Sequence, residues 1–340
     1  MNSNVSNIQR LSNPTGYAFS VAGFFMLLVL VFGALYYATN TVDYIWRWSS
    51  VPKYFAYKDN ITIYADVDGE VKSITPEDNK YAIVITGTED GGDLTFIVPE
   101  GSFDIDEGEM ISIGETIAEY EGEWSVGLIA MGLWLTLKIS ILSTIIGITI
   151  GILGGVARVT DTPVLKWTAI TYVEIIRGSP LLVQIMIAYF VVGTTLNKIL
   201  VMNGLPRLSP EWYGIFAMSI FTGAYVVEIV RAGIESIPPG QMEAARSAGM
   251  TYFQCMQHII LPQALKTILP PLAGQFINLI KDSSLLGLIA IRELTKATRE
   301  GVATSLQTFE LWIVCAILYL MMTFTLSMLI QYLERRTSRQ

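Results

Sequence analysis

The sequence predicts an all-α transmembrane bundle into which a small β domain is inserted. Of the 340 residues, 52% are hydrophobic and only 15% are charged, and the mean hydropathy is +0.48. Soluble domains average about 25% charged residues, so this composition favours a membrane protein. Long uncharged stretches fill most of the chain, whereas residues 60–123 are rich in short β-branched runs.

The first apolar stretch, Tyr17–Ala38, has no charged residue and is long enough to cross the hydrocarbon core. It is too long for the apolar part of a typical secretory signal peptide, and no convincing small-residue cleavage site follows it. We therefore predict a retained transmembrane helix over residues 17–40 and a cytoplasmic tail over residues 1–16.

Residues 41–123 are predicted to form an acidic extracytoplasmic β domain with its linker. Residues 43–123 carry 19 Asp or Glu and five Lys or Arg, which leaves the rest of the chain with a net charge of +6. Runs of β-branched and aromatic residues at 61–64, 81–86 and 94–98 predict strands, and Asp-Gly or Glu-Gly pairs between them predict turns.

The β domain resembles the lipoyl/biotinyl-like barrel-sandwich fold in the runs 67–71 and 106–120. That fold carries its prosthetic group on a hairpin lysine flanked by Asp or Met, and no such lysine stands here. We expect a docking or spacing role rather than a swinging-arm carrier.

From Trp124 onward the pattern is helical and apolar. The uncharged run Ile139–Ala157 contains small residues that let membrane helices approach closely, namely Gly147, Gly151, Gly154 and Gly155. Together with the first helix, the apolar stretches predict six spans. The later stretches are 174–196, 212–227, 267–291 and 311–333.

A polar segment, residues 238–262, separates two of these stretches. Prolines at its start suit the first turn of a helix, because the missing N–H has no helical partner there. Ala244, Ala245 and Ala248 then give a slim, strongly helical face, and Gly249 lets another backbone come close.

The spacing within this segment, E-A-A, three residues, G, nine residues, I-x-L-P, resembles the coupling-loop motif of the membrane subunits of ATP-binding-cassette (ABC) importers. The resemblance implies that the segment docks onto a separate ATPase. An ordinary amphipathic loop between helices is the alternative interpretation. The residues that carry the motif are Glu243, Ala244, Ala245, Gly249, Ile259, Leu261 and Pro262.

The run Lys281-Asp282-Ser283-Ser284 interrupts an otherwise apolar span. An ionisable pair at membrane depth is costly unless it faces a cavity or a partner, so it is a candidate functional site. The run resembles the Lys-Asp-[Ser/Thr]-Ser-Leu segment of polar amino acid permeases, which implies that it lines the substrate pocket. A carboxylate can pair with an α-ammonium group, and hydroxyls and a cation can receive an α-carboxylate. A structural Lys–Asp pair between two helices is the alternative.

Four further polar residues are predicted to line the same pathway. Gln275 and Asn278 precede the Lys-Asp run by about two turns and one turn of helix. Arg177 belongs to residues 174–180, which resemble the (E)xxRGxP segment of the same permeases, and Gln184 follows about one turn later. A helix cap near the cytoplasmic interface is the alternative interpretation of Arg177 and its segment.

Few other reactive side chains stand out. Cys255 and Cys315 are not expected to meet, and the single histidine, His258, lacks neighbours for a metal site. Glu228 and Arg231, three residues apart on a predicted helix, are expected to pair with each other.

The resemblance covers residues 124–337 and identifies this region as similar to the permease core of ABC importers for polar amino acids. It implies the type I ABC importer permease fold with five core helices, to which this chain adds one N-terminal transmembrane helix and the barrel-sandwich-like β domain. It also implies two ABC ATPase subunits per complex, a second permease copy or a homologous permease, and an extracytoplasmic amino acid binding protein.

No G-x-x-x-x-G-K-[ST] phosphate loop occurs in the chain, so we expect no enzyme activity and no cofactor of its own, with ATP and Mg held by the partner ATPase. No nucleic-acid partner is expected either. Two other functions stay open. One is an ion-coupled secondary amino acid transporter or a channel that uses Lys281 and Asp282, and the other is a membrane-anchored sensor whose β domain binds a ligand.

A cytoplasmic coupling segment places both termini inside and the β domain outside a bacterial inner membrane. Outside the β domain, the predicted cytoplasmic segments then hold ten Lys or Arg against five in the predicted external loops. This bias agrees with the positive-inside rule.

Overall fold

The computed structural model describes residues 14–77, 80–87 and 92–337. The chain forms two compact units, the first of which ends at Trp48. This unit contains helix α1, Pro14–Thr41, whose stretch Phe19–Thr41 is long and apolar enough to cross a membrane. The chain before residue 14, which holds most of the predicted cytoplasmic tail, lies outside the described residues.

The second unit begins with a β domain. Its described strands are β1 (Ala56–Tyr64), β2 (Gly69–Glu77), β3 (Lys80–Gly87), β4 (Asp93–Pro99), β5 (Met110–Ile111) and β6 (Thr116–Val126). β1 and β6 pair as an antiparallel ribbon, and the other four form an antiparallel sheet in the order β4-β3-β2-β5. The runs predicted as strands lie within β1, β3 and β4. Ile83 and Ile85 of β3 pack against Ile117 of β6, so both sheets share one apolar core.

The β domain is joined closely to the helices that follow it. The Gly127 N–H donates to Phe55 O at 2.8 Å, and the backbone of Tyr54 leaves no room for a side chain at Gly127. Tyr54 is 8% exposed and packs with Leu294 and Leu311. The base of the β1–β6 ribbon is therefore fixed against the helical part of the same unit.

The rest of this unit is helical. Its helices are α2 (Leu128–Val159), α3 (Pro163–Arg177), α4 (Leu181–Met202), α5 (Pro210–Glu235), α6 (Pro239–Ser247), α7 (Leu261–Asp282), α8 (Leu294–Ser305) and α9 (Thr308–Thr337). Of these, α2, α4, α5 and α9 are long and apolar enough to cross a membrane, which with α1 makes five candidate spans in the described part of the chain.

Helix α7 corresponds to the sixth predicted span. It has 22 residues, about the length that crosses a bilayer, but it is not among the five apolar candidates. Prolines at 270 and 271 lie inside it, and polar residues such as Gln275 and Asn278 lower its hydropathy. Its role as a sixth span stays a prediction.

Helices α2 and α5 pack closely because glycines on α2 face bulkier residues on α5. A Cβ placed on Gly147 would lie 2.9 Å from Thr222 Cβ, and one placed on Gly155 would lie 2.5 Å from Val230 Cβ. Gly151 meets Val226 in the same way. These contacts confirm the predicted role of the small residues in this stretch.

The two ends of α2 lie in different surroundings. Its first residue, Leu128, follows the β domain almost directly, whereas Arg158 and Val159 at its other end border a cavity lined by Pro238 and Met242. A helix of 32 residues is about 48 Å long. The β domain and the predicted coupling segment therefore lie at opposite ends of this helix.

Candidate functional site

The predicted coupling segment, residues 238–262, folds as two helical pieces joined by a sharp turn. Gly249 lies in this turn with φ +89°, a left-handed conformation that glycine adopts readily. The next piece starts with a capping box, in which the Gln254 amide donates to Thr251 Oγ1 at 3.3 Å and the Thr251 amide donates to Gln254 Oε1 at 2.8 Å. The local sequence therefore sets both the turn and the start of the second piece.

The seven residues of the coupling motif divide into an inner and an outer group. Ala245 is 7% exposed, and the half-buried Ile259 and Leu261 pack against the cluster around Met256 and Ile260. These inward contacts fix the segment on the bundle. The outer group is exposed and consists of Glu243, Ala244, Gly249 and Pro262. This group thus presents small side chains and one carboxylate, and the exposed Arg246 lies three residues from Glu243.

An ionic cluster joins the ends of α2, α3 and α5 that lie near this segment. Glu228 on α5 accepts hydrogen bonds from Arg231 at 2.9 and 3.1 Å, which confirms the predicted pair. Arg158 at the end of α2 donates to the other carboxylate oxygen of Glu228, and Arg177 at the end of α3 lies 3.9 Å from that oxygen. The Arg158 contact was not predicted, because its partner is 70 positions away in the sequence.

A cavity of 470 Å³ separates the cluster from the coupling segment. Its walls carry charged residues from three helices and apolar residues from the coupling segment, among them Arg158, Lys166, Glu235, Met242 and Tyr252. The first turn of α6, at Pro239 and Met242, therefore borders the cavity, whereas Ala245 further along the helix is buried.

Two of the predicted pathway residues, Arg177 and Gln184, lie on either side of the short turn between α3 and α4. The Arg177 guanidinium lies 5.2 Å from the centre of the Tyr225 ring. Gln184 Nε2 donates to Ile176 O at 2.7 Å and to Ser179 O at 3.1 Å, so it holds the two helix ends together. In the described part of the chain, neither side chain hydrogen-bonds to residues 281–284.

The predicted Lys-Asp run lies where α7 ends. The α-helix stops at Asp282, and residues 283–289 continue as a 3₁₀ helix. Ser283 is buried and donates to Ile280 O at 2.7 Å, whereas Asp282 and Ser284 are half-buried and Lys281 is exposed. The structure therefore places the run at a change of helix type, with its charged residues accessible.

Gln275, Asn278 and Asp282 occupy positions i, i+3 and i+7 of α7 and so share one face of the helix. Asn278 is exposed, and the other two are half-buried. Leu279, four residues after Gln275, lies beside this stripe and packs into the bundle with Leu181 and Ile185 of α4. The polar stripe of α7 therefore runs along the edge of the surface that packs into the apolar core.

A buried carboxylate behind the Lys-Asp run was not predicted. Glu293 is 0% exposed and accepts hydrogen bonds from the amides of Thr295 and Lys296, each at 2.8 Å, at the start of α8. Burial raises the pKa of this carboxyl, and the two amides act against the shift. Its carboxylate also lies close to Gly287, where a Cβ would come within 2.7 Å of Oε1. No local pattern pointed to this role, since Glu is not a preferred N-cap residue.

Comparisons with known proteins agree with the helical part of this architecture that follows the β domain. Residues 147–339 match the model of a family described as binding-protein-dependent transport system inner membrane component. A probable glutamine ABC transporter permease protein, GlnM of Bacillus subtilis, is 40% identical over 61% of this chain and 92% of its own length. The glutamine transport system permease protein GlnP of Escherichia coli K12 is 35% identical over 63% of this chain and 97% of its own length.

Solved structures show the same similarity. A crystal structure of an amino acid ABC transporter with histidines is 37% identical, has a TM-score of 0.54, and is matched over 94% of its chain and 62% of this one. The inward-facing MetNI methionine ABC transporter shares the fold, with a TM-score of 0.51 at 20% identity, over 62% of this chain and 95% of its own.

Proposed function

We propose that this chain, which belongs to the family of binding-protein-dependent transport system inner membrane components, is the permease subunit of an ATP-driven importer for polar amino acids. It forms the translocation pathway and has no nucleotide site of its own. A partner ATPase holds ATP and Mg. The observation that carries the proposal is the exposed face of the coupling segment, at the end of α2 opposite the β domain.

The coupling surface supports docking to an ATPase. Glu243 and Ala244 project from a helix whose inner side, at Ala245, is anchored to the bundle. A rigid, low-bulk helix can seat in a groove of a partner and move the bundle as the partner moves. We infer an assembly of two ATPase subunits and two permeases, the second permease being another copy or a homologue.

The topology that goes with this role has six spans. Helices α1, α2, α4, α5, α7 and α9 cross a bacterial inner membrane, with both termini in the cytoplasm and the β domain outside. The excess of Lys and Arg in the predicted cytoplasmic segments supports this orientation. An extracytoplasmic binding protein then delivers the amino acid from the side of the β domain.

The substrate class rests on the polar stripe of α7 and on relatives named for glutamine, cystine and arginine transport. Gln275, Asn278 and Asp282 offer amide and carboxylate groups that suit the polar parts of an amino acid. The carboxylate pairs with the α-ammonium group, and Lys281 and Ser284 are placed nearby in the sequence to receive the α-carboxylate. Ser283 is buried, and its hydroxyl donates to Ile280 O, so its part is to shape the run.

Uptake in membrane vesicles that contain this permease, its ATPase and its binding protein tests the proposal, with labelled glutamine as the first substrate. We expect uptake that requires ATP and is blocked by vanadate. Uptake that is driven by an ion gradient and is insensitive to vanadate would instead favour an ion-coupled transporter that uses Lys281 and Asp282. Deleting residues 60–120 tests the sensor alternative, because a sensor loses its function with that domain, whereas transport should persist.

A further inference from the structure

We propose that the base of the β domain binds the headgroup of an anionic phospholipid, using Lys53 and Lys58 as its cationic ligands. The two lysines line a cavity of 590 Å³ between the β1–β6 ribbon and the helices below it. The inference rests on the proposed role of α2 and α9 as membrane spans.

The position of this cavity matches the level of lipid headgroups. Leu128, the first residue of α2, lines it, and so do Thr304 and Ser305 at the end of α8, three to four residues before α9 starts. The cavity therefore lies where two spans begin. Hydrated cationic groups beside the ends of spanning helices meet lipid phosphates at this depth.

The two lysines of the cavity differ in their partners. Lys53 Nζ lies 5.2 Å from the centre of the Tyr54 ring, and among the described residues no carboxylate lies within ion-pair distance of it. Lys58 pairs with Glu121 at 2.9 Å and lies 5.5 Å from the centre of the Trp124 ring, but Glu121 is 68% exposed, so solvent screens the pair and a phosphate can compete for the ammonium group. Asp59 and Glu123 lie close in sequence to residues that line the cavity, but they do not line it themselves.

The lining is amphipathic in the way that a lipid requires. Tyr54 and Tyr57 form part of the upper wall, and tyrosine is enriched where membranes meet water. Below them, Met131 lines the cavity with 60% of its surface exposed, and Trp134, one turn further along α2, is 68% exposed. An acyl chain can lie along these residues, which a free phosphate ion does not need.

Native mass spectrometry of the full-length chain in detergent tests the site, with dioleoylphosphatidylglycerol as the probe. We expect one phosphatidylglycerol molecule to bind the wild type more tightly than the other bound lipids do. The double variant Lys53→Gln/Lys58→Gln should bind this molecule about tenfold more weakly, because each lysine near a lipid surface raises the affinity a few-fold. Lys53→Arg/Lys58→Arg keeps the charge and should retain the lipid. Lys72→Gln removes a lysine from the same domain away from the cavity and should have no effect.

If the Gln double variant binds the lipid as tightly as the wild type, the proposal is wrong. It is also wrong if Lys72→Gln weakens binding as much as the double variant does, because that would indicate general charge attraction. Equal retention of dioleoylphosphatidylcholine contradicts an anionic site. Displacement of the lipid by inorganic phosphate would assign the cavity to a free anion. Because these measurements need neither ATPase nor substrate, a failure of the importer proposal appears separately, in the uptake assay.

Discussion

Tyr319 of α9 donates a hydrogen bond to the buried carboxylate of Glu293 at 3.0 Å, across 26 positions of sequence. Glu293 at the same time caps α8. Arg299 of α8 donates to Gly287 O at 3.2 Å and so holds the 3₁₀ segment that follows the Lys-Asp run. The polar run at the end of α7 is thus positioned by two helices that come later in the chain.

Replacing Tyr319 with Phe should destabilise the protein by about 1–3 kcal/mol, because a buried carboxylate loses one of its donors. Unfolding of the purified chain in detergent measures the change. Tyr332→Phe is the matched control, since Tyr332 is 62% exposed on the same helix. Equal stability of the two variants would show that the contact contributes nothing.

Glu243→Lys should lower uptake by at least about tenfold, because it reverses the one acidic charge of residues 238–262, next to the exposed Arg246, and places a second cation against the partner. Membrane insertion should be unchanged. Uptake and co-purification of the ATPase are both measured, and Glu100→Lys, the same reversal in the β domain, serves as the control. Normal uptake by the Glu243 variant would remove the segment from its assigned role.

Asp282→Asn should impair uptake by about tenfold or more, because a neutral amide lacks the charge that pairs with an α-ammonium group. Co-purification of the ATPase should stay at the wild-type level. Asp161→Asn, in the exposed turn between α2 and α3, is the control. If uptake is unimpaired, the Lys-Asp pair is structural.

Gly147→Ala should destabilise the bundle by about 1–3 kcal/mol through overpacking, since the new Cβ would lie 2.9 Å from Thr222 Cβ. Gly274→Ala is the matched control, because no atom lies within 4 Å of a Cβ at that position. Thermal unfolding in detergent separates the two. A Gly147 variant as stable as its control would mean that α2 and α5 can move apart at no cost.

Several features of the structure could be predicted from local sequence patterns. The prolines at the start of the coupling segment, the glycines of α2 and the pair of Glu228 with Arg231 depend on spacings of a few residues, and the structure has them where the sequence predicts them. Helix α7 is harder to recognise from its composition, because the polar residues that make it a candidate pathway also lower its hydropathy.

The sequence by itself determined the membrane class, the break between β domain and helices, and the spacing of the coupling motif, because each depends on composition or on periodicity within one element. Only the tertiary structure decided that Arg158 meets Glu228, that Glu293 is buried against Tyr319, and that Lys53 and Lys58 share one cavity with Met131. These contacts join residues far apart in the chain, and such pairs leave no local pattern because packing alone brings them together.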